Sequence, residues 1–454
     1  MMTNDAVIKK IKDSKHSKIK LSVTDIDGIL RGKILHKDKF LEVAESEVGF
    51  CDVIFGWDAN DRCNSNIEVT GWHTGYPDAK AHIDLQTYRE IPWNNHLPFF
   101  IADFWNDDGT DLAAICPRSL LKKIKLQANE MNFIPVFSQE FEWFNFVGTP
   151  NELSVKGYSD LQPLSPGMFG YSMLRPTLYQ DYFNDLFDLL EQFNIPLEGL
   201  HTETGPGVYE AAIRYDEVLS AADKAVLFKN SVKEIAYQHG IVASFMAKWN
   251  ESLPGCSGHI HQSLWDKNKQ KNLFYTSNAN APMSELMKHY LAGILHCMPY
   301  IMPMYAPTIN SYKRLREGAW APTTVSWGFD NRTTAVRVIN GIEKSTRLEM
   351  RLPGSDSNPY LAMAASLASG LYGIKNELEL KVAETRGNAY AKNELEKLPG
   401  NLFDATQKMK NSKIARTLFG DHFVSHFCTT REWEWNEYAK AVTNWELKRY
   451  FEII

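Results

Sequence analysis

Glu140 and Glu142 lie two residues apart in SQEFEWFNF, with aromatic residues before, between and after them. In a strand, residues two apart share a face, so both carboxylates would project together among apolar rings. Unpaired carboxylates there are costly, and a positive partner has to come from elsewhere in the chain. A strand with one solvated face is the alternative, weakened because Phe144 and Phe146 continue the glutamate face.

Five further stretches carry groups of matching chemistry. HTETGPGVYEAA sets Glu203 and Glu210 on either side of Gly-Pro-Gly, a turn able to bring them toward one point. GCSGHIHQSLW holds His259 and His261 on one strand face. H-x-H is a usable ligand pair, although a structural histidine is the commoner occurrence. TRLEMRLPGSDSNPY places Arg347, Glu349 and Arg351 on one face ahead of a Pro-Gly turn. Arg314 lies in NSYKRL, and Arg332 and Arg337 lie in DNRTTAVR. Guanidinium forks suit phosphate and carboxylate oxygens, and surface salt bridges are their plainer use.

Taken together, Glu140, Glu142, Glu203, Glu210, Glu349 and His259 offer hard oxygen ligands and one nitrogen. Mg²⁺ or Mn²⁺ fits that set better than Zn²⁺. Arginines beside such a centre imply an anionic, multi-oxygen substrate, polyphosphate first. GILRGK lacks Walker A spacing, and no G-x-G-x-x-G follows a strand, so a nucleotide must bind on another architecture.

The elements that must position these groups are legible in outline. Residues 1–17 read as a helix or leader. Short extended runs and turns through 18–115 suggest a small strand-rich domain. NDDGTD, Asn106 to Asp111, reads as a turn, and Pro117 opens a helix to about Asn132. Beyond it strands and helices mix over 116–454. Asp181–Phe193 and Asp216–Gln238 are helical, the second closed by Gly240. Pro359 starts a small-residue helix suited to close packing, and REWEWNEYAKAVTNWELKRYFEII reads as one amphipathic C-terminal helix.

Bulk properties exclude several classes. The 454 residues are 44% hydrophobic and 23% charged, with net charge −6, which argues against a nucleic-acid-coating surface. The six cysteines show no C-x-x-C spacing. The N-terminus has no apolar signal core, and prolines 299, 303 and 307 with His296 break the longest apolar region, so no membrane span is expected. A cytoplasmic protein is the expectation.

In this order, QEFEW, HTETGPGVYE, GHIHQS, NSYKRL, DNRTTAVR and RLEMRLPGSDSNPYLA resemble the glutamine synthetase family over nearly the whole chain. The resemblance implies an α+β protein: a small N-terminal β-grasp domain over 18–115 and a large catalytic domain over 116–454 with a curved antiparallel sheet flanked by helices. It implies ATP and L-glutamate as substrates, with an amine or ammonia, and two or three Mg²⁺ or Mn²⁺ ions per site. It also implies a homo-oligomer, a dodecamer of two stacked hexameric rings. Carried over, Glu140, Glu203 and Glu210 resemble the ligands of the metal nearer glutamate. Glu142, His259 and Glu349 resemble those of the metal nearer the phosphates. His261, Arg332, Arg337 and Arg347 match phosphate-side residues, and Arg314, Arg351 and Gly255 match the glutamate-binding positions.

Departures concern the acceptor. Trp320 in GAWAP stands where ammonia-using members carry a glutamate, which replaces a carboxylate by an apolar wall and a π face. FCDVIFGWDAND replaces the usual D-G-S-S segment, leaving Asp52 or Asp58 as the counterpart of the ammonium-site aspartate and Trp57 beside them. Val208 falls where many members have glutamine, and Phe403 where adenylylated members have tyrosine. This favours an organic amine as acceptor and a γ-glutamylamide as product. Ordinary glutamine synthesis and a non-catalytic ring protein are the competing expectations.

Overall fold

The structure is a computed structural model that describes residues 2–65, 67–104, 111–278 and 283–454. Apart from Asp111, the expected NDDGTD turn falls outside the described residues.

The chain starts with a helix, Asn4–Asp13, capped by the Thr3 hydroxyl, which accepts from the Ala6 N–H at 3.3 Å. Its Val7 and Ile11 are buried in one apolar core with Leu21, Phe40 and Phe100, so this segment is docked. Five strands follow: β1 (Lys18–Thr24), β2 (Leu30–His36), β3 (Val48–Cys51), β4 (Asp78–Ile91) and β5 (Leu97–Asp103). Their order is β2-β1-β5-β4-β3, with β1 and β5 parallel and the other pairs antiparallel. Alternation in β4 sends Ala79, Ala81, Ile83 and Leu85 into the core.

The second sheet contains β6 (Phe133–Val147), β7 (Leu197–Thr202), β8 (Val208–Ile213), β9 (Asp216–Glu217), β10 (Ile241–Ser244), β11 (Ile260–Asp266), β12 (Trp327–Phe329), β13 (Val336–Ile339) and β14 (Arg347–Met350). It runs β12-β13-β14-β11-β6-β8-β7, and β9 and β10 also pair with β6. The sheet is curled and flanked by helices. All its pairs are antiparallel except β12 with β13, which are parallel.

Helix Val218–Gln238 lies on β6, and helix Pro359–Lys375 packs on Glu285–Cys297 and Pro117–Glu130. Two of these helices approach closely at Gly293 and Gly373, where an added Cβ on Gly293 would run into the Ser369 carbonyl and meet the Gly373 nitrogen at 2.6 Å. Only glycine permits that approach, which explains the small-residue helix. Buried Arg118 links the N-terminal sheet to helix Val218–Gln238. It donates to Asp84 and Asp223 at 2.8 Å and also binds Asp103, so its charge is fully matched.

The C-terminus departs from expectation. Two helices, Asp421–Ala439 and Asn444–Tyr450, replace the single one, because Thr443 and Glu446 form a capping box that starts the second afresh. Among the described residues, no helix is long and apolar enough to cross a membrane.

Candidate active site

The site is built around β6. Its Glu140 and Glu142 N–H groups donate to the His259 and Ser257 carbonyls at 3.0 and 2.9 Å on the β11 side. On the other side Glu140 pairs with Ala212 and Glu142 with Glu210 of β8. Beyond β11, His261 faces Glu349 of β14, which in turn faces Arg337 of β13. Directly opposed side chains in a sheet are neighbours, so register alone assembles residues from five distant segments.

One group is Glu140, His259 and Glu349. His259 Nδ1 lies 3.0 Å from Glu140 Oε1 and 3.4 Å from Glu349 Oε1, and His261 Nε2 lies 3.3 Å from Glu140 Oε2. Arg337 donates to Glu349 Oε2 at 2.8 Å, and Arg351 binds Glu349 Oε1. Burial pushes the Glu349 carboxyl up, but Arg351, His259 and His261 outweigh it and hold it at about 2. Burial is likewise overcome at Glu140 by His261 and His259, which hold it well below the usual range. Burial and then Arg351 push His259 down to about 4, so its ring is neutral, the form able to ligate a metal.

The other group is His201, Glu203 and Glu210, with Glu142 facing Glu210. Its balance is reversed. Burial, then Glu140, Glu142, Glu203 and Glu349, push Glu210 up to about 10. Burial raises Glu142 although the Ser257 N–H, at 2.6 Å, and Arg314 oppose it. His201 Nε2 is 3.8 Å from Glu210 Oε2 and has no hydrogen-bond partner among the described residues. Crowded carboxylates and an unpartnered imidazole nitrogen fit a divalent ion, which would supply the missing positive charge.

The grouping corrects one expectation. Glu140 belongs with His259 and Glu349, and Glu142 with Glu203 and Glu210, so the two glutamates exchange partners. Strand geometry is the reason: β11 approaches β6 at Glu140, whereas β8 presents Glu210 across from Glu142.

The arginines surround this floor. Arg314 is buried and donates to the Leu352 and Arg351 carbonyls at 3.0 and 3.2 Å, with His259 Nε2 at 3.4 Å. Gly255 lies against it; an added Cβ would meet Arg314 Cγ at 2.9 Å. Arg347 donates to His261 Nδ1 at 3.1 Å, Arg337 also to Asp330 at 2.8 Å, and Arg332 is exposed. Trp320 is 67% exposed at φ +55°, with its carbonyl 3.5 Å from an Arg351 nitrogen.

The N-terminal candidates lie with other partners. Asp52 is buried and accepts from the Thr70 hydroxyl at 2.8 Å. Asp58 accepts from Trp433 Nε1 at 3.0 Å and from the Asn60 and Arg62 N–H groups. Trp57 lies under Arg31, 5.4 Å from ring centroid to guanidinium. Val208 is a core residue with Phe144 and Phe146.

Sequence reasoning missed His201, Tyr171 and Asp330. His201 is two residues before Glu203 in the motif already singled out, so strand alternation contained its signal. Tyr171 stacks on His201 at 4.5 Å, and nothing local announces that contact.

Residues 114–450 match the family model described as glutamine synthetase, catalytic domain. The chain is 50% identical to a type-1 glutamine synthetase 2 of Dictyostelium discoideum, covering 100% of this chain and 87% of the relative. It is 37% identical to a glutamate–isopropylamine ligase of a Pseudomonas species, covering 99% of each. A solved structure of GmaS without ligand superposes with a TM-score of 0.85 at 25% identity, over 98% of this chain and 99% of that one. Matched in sequence and fold alike, the chain belongs to the glutamine synthetase family and is an ATP-dependent ligase working with Mg²⁺ or Mn²⁺.

Proposed function

We propose that the protein joins the γ-carboxylate of L-glutamate to an organic amine, giving a γ-glutamylamide, ADP and phosphate. The observation that carries the acceptor assignment is Trp320, an exposed indole at φ +55° whose carbonyl lies beside Arg351. An aromatic wall suits an alkyl or aromatic amine, whereas a polyamine would want acidic residues along its channel. Support comes from the 37% identical relative named for isopropylamine. The competing reading, ammonia as acceptor, has its own support in the 50% identical relative named glutamine synthetase.

In this reading Arg314, Arg351 and the Gly255 backbone hold glutamate. Its γ-carboxylate attacks the γ-phosphorus of ATP, the β,γ-anhydride bond breaks to release ADP and γ-glutamyl phosphate forms, while Arg332, Arg337, Arg347 and His261 disperse charge on the transferring group. Glu140, His259 and Glu349 would hold one divalent ion and Glu142, Glu203 and Glu210 another, and ions held there would supply Lewis-acid stabilisation. The amine then attacks the acyl phosphate carbonyl and phosphate leaves. Trp320 lines the amine pocket. Trp57 and Asp52 or Asp58 reach it from a neighbouring copy, in a cytoplasmic dodecamer of two stacked hexamers. Division of the chain at 18–115 and 116–454 is part of the same proposal; an apolar core of mostly N-terminal residues supports it, while Ile26, Ile91, Phe99 and Ile101 pack into the larger core.

Steady-state phosphate release with glutamate and a panel of ammonia, isopropylamine, ethanolamine, benzylamine and putrescine tests it. An organic amine with the highest kcat/KM is the expected outcome; ammonia in that place assigns glutamine synthesis instead.

A further inference from the structure

A second recess lies apart from the carboxylate cleft, where the outer face of the N-terminal sheet meets helix Val218–Gln238. It encloses about 270 Å³, just below the usual range of small-molecule pockets. Lys20 and Ser22 face it from β1, two residues apart and so side by side. Leu30, Phe99, Phe193 and Leu227 are among its apolar walls.

Donors there are unspent while the acid is nearly saturated. Ser22 is 4% exposed and its Oγ has no hydrogen-bond partner among the described residues, a costly state for a buried hydroxyl. Lys20 Nζ donates to Glu234 Oε1 at 2.9 Å, one use of an ammonium that has three N–H groups. Glu234 also accepts from Trp93 Nε1 at 2.7 Å and from Asn230 Nδ2 at 2.8 Å. The recess therefore calls for an oxygen acceptor at Lys20 and Ser22, and for hydrocarbon against its walls. A cation finds little there, because Glu234 already has its donors.

We propose that this recess binds a small monocarboxylate with an apolar body. The carboxylate bridges Lys20 Nζ and Ser22 Oγ, and the body packs on Phe99, Phe193 and Leu227. Such a ligand touches both β1 and the long helix and so joins the N-terminal sheet to the rest of the chain.

Calorimetry on the full chain with phenylacetate, 2-phenylethylamine and 2-phenylethanol tests this, since the three share a ring and differ in the polar group. Phenylacetate is expected to bind at least about tenfold more tightly than the other two. Ser22→Ala, which deletes one hydroxyl, should weaken it about fivefold, and Lys20→Met by at least about tenfold. Glutamate-dependent ATP turnover should stay within about twofold in both variants. Absent phenylacetate binding, tighter binding of the amine, competition by glutamate, or full affinity in both variants overturns the proposal.

Discussion

Glu349 and Glu210 face one cleft from two strands of the same sheet, yet their surroundings are opposite. Glu349 has Arg337 and Arg351 on its oxygens and sits at about 2. Glu210 has Glu142 across the strand pair and Glu203 close by, and is pushed up to about 10. The first group is balanced by the chain itself. The second holds a proton on Glu210 until a cation takes its place. Binding of a divalent ion is therefore felt most at the Glu142–Glu203–Glu210 end, which answers how two glutamates survive among aromatic rings.

The largest effects come from removing that acidic end. Glu142→Gln or Glu210→Gln should lower kcat for glutamate-dependent phosphate release by about 10²–10³, and chelation should abolish it. Unchanged turnover in both variants would remove the metal-binding assignment.

Stability of the metal-free protein sharpens the contrast. Glu349→Gln strips buried Arg351 of its carboxylate, while Arg337 keeps Asp330, and should cost about 3–5 kcal/mol in urea unfolding. Glu210→Gln relieves carboxylate crowding and should be neutral or stabilising under the same conditions. Equal losses in the two variants would erase the distinction between the groups.

At the acceptor side the expected effect is smaller. Trp320→Ala should reduce kcat/KM for the preferred amine about tenfold, equivalent to roughly 1.4 kcal/mol. Trp320→Glu should shift preference toward ammonia. A preferred amine insensitive to both changes would place the pocket elsewhere.

The mildest prediction lies outside the cleft. Burial, then Asp27, raise Asp25 to about 7 against Arg31, the Ile29 N–H notwithstanding. The folded state then binds more protons than the unfolded one between about 4 and 7, so stability should fall as pH rises through that window. Asp25→Asn should flatten that slope, read from urea midpoints at pH 4.5 and 7.5.

Much of the site was legible because strand periodicity is local. Glu140 with Glu142, His259 with His261, and Arg347 with Glu349 and Arg351 share faces by counting in twos, and Pro117 and Pro359 mark helix starts as their fixed φ requires. The C-terminal break was misread because an aromatic stripe hides the Thr443–Glu446 cap. Tyr171 was missed because its stacking on His201 joins segments 30 residues apart in sequence.

By itself the sequence determined the ligand types, the shared faces and the family, since these depend on residue identity and nearest-neighbour geometry. Only the tertiary structure decided which glutamate keeps company with which histidine or acid. That choice rests on the register of β6 between β11 and β8, a pairing of distant segments that no local pattern encodes.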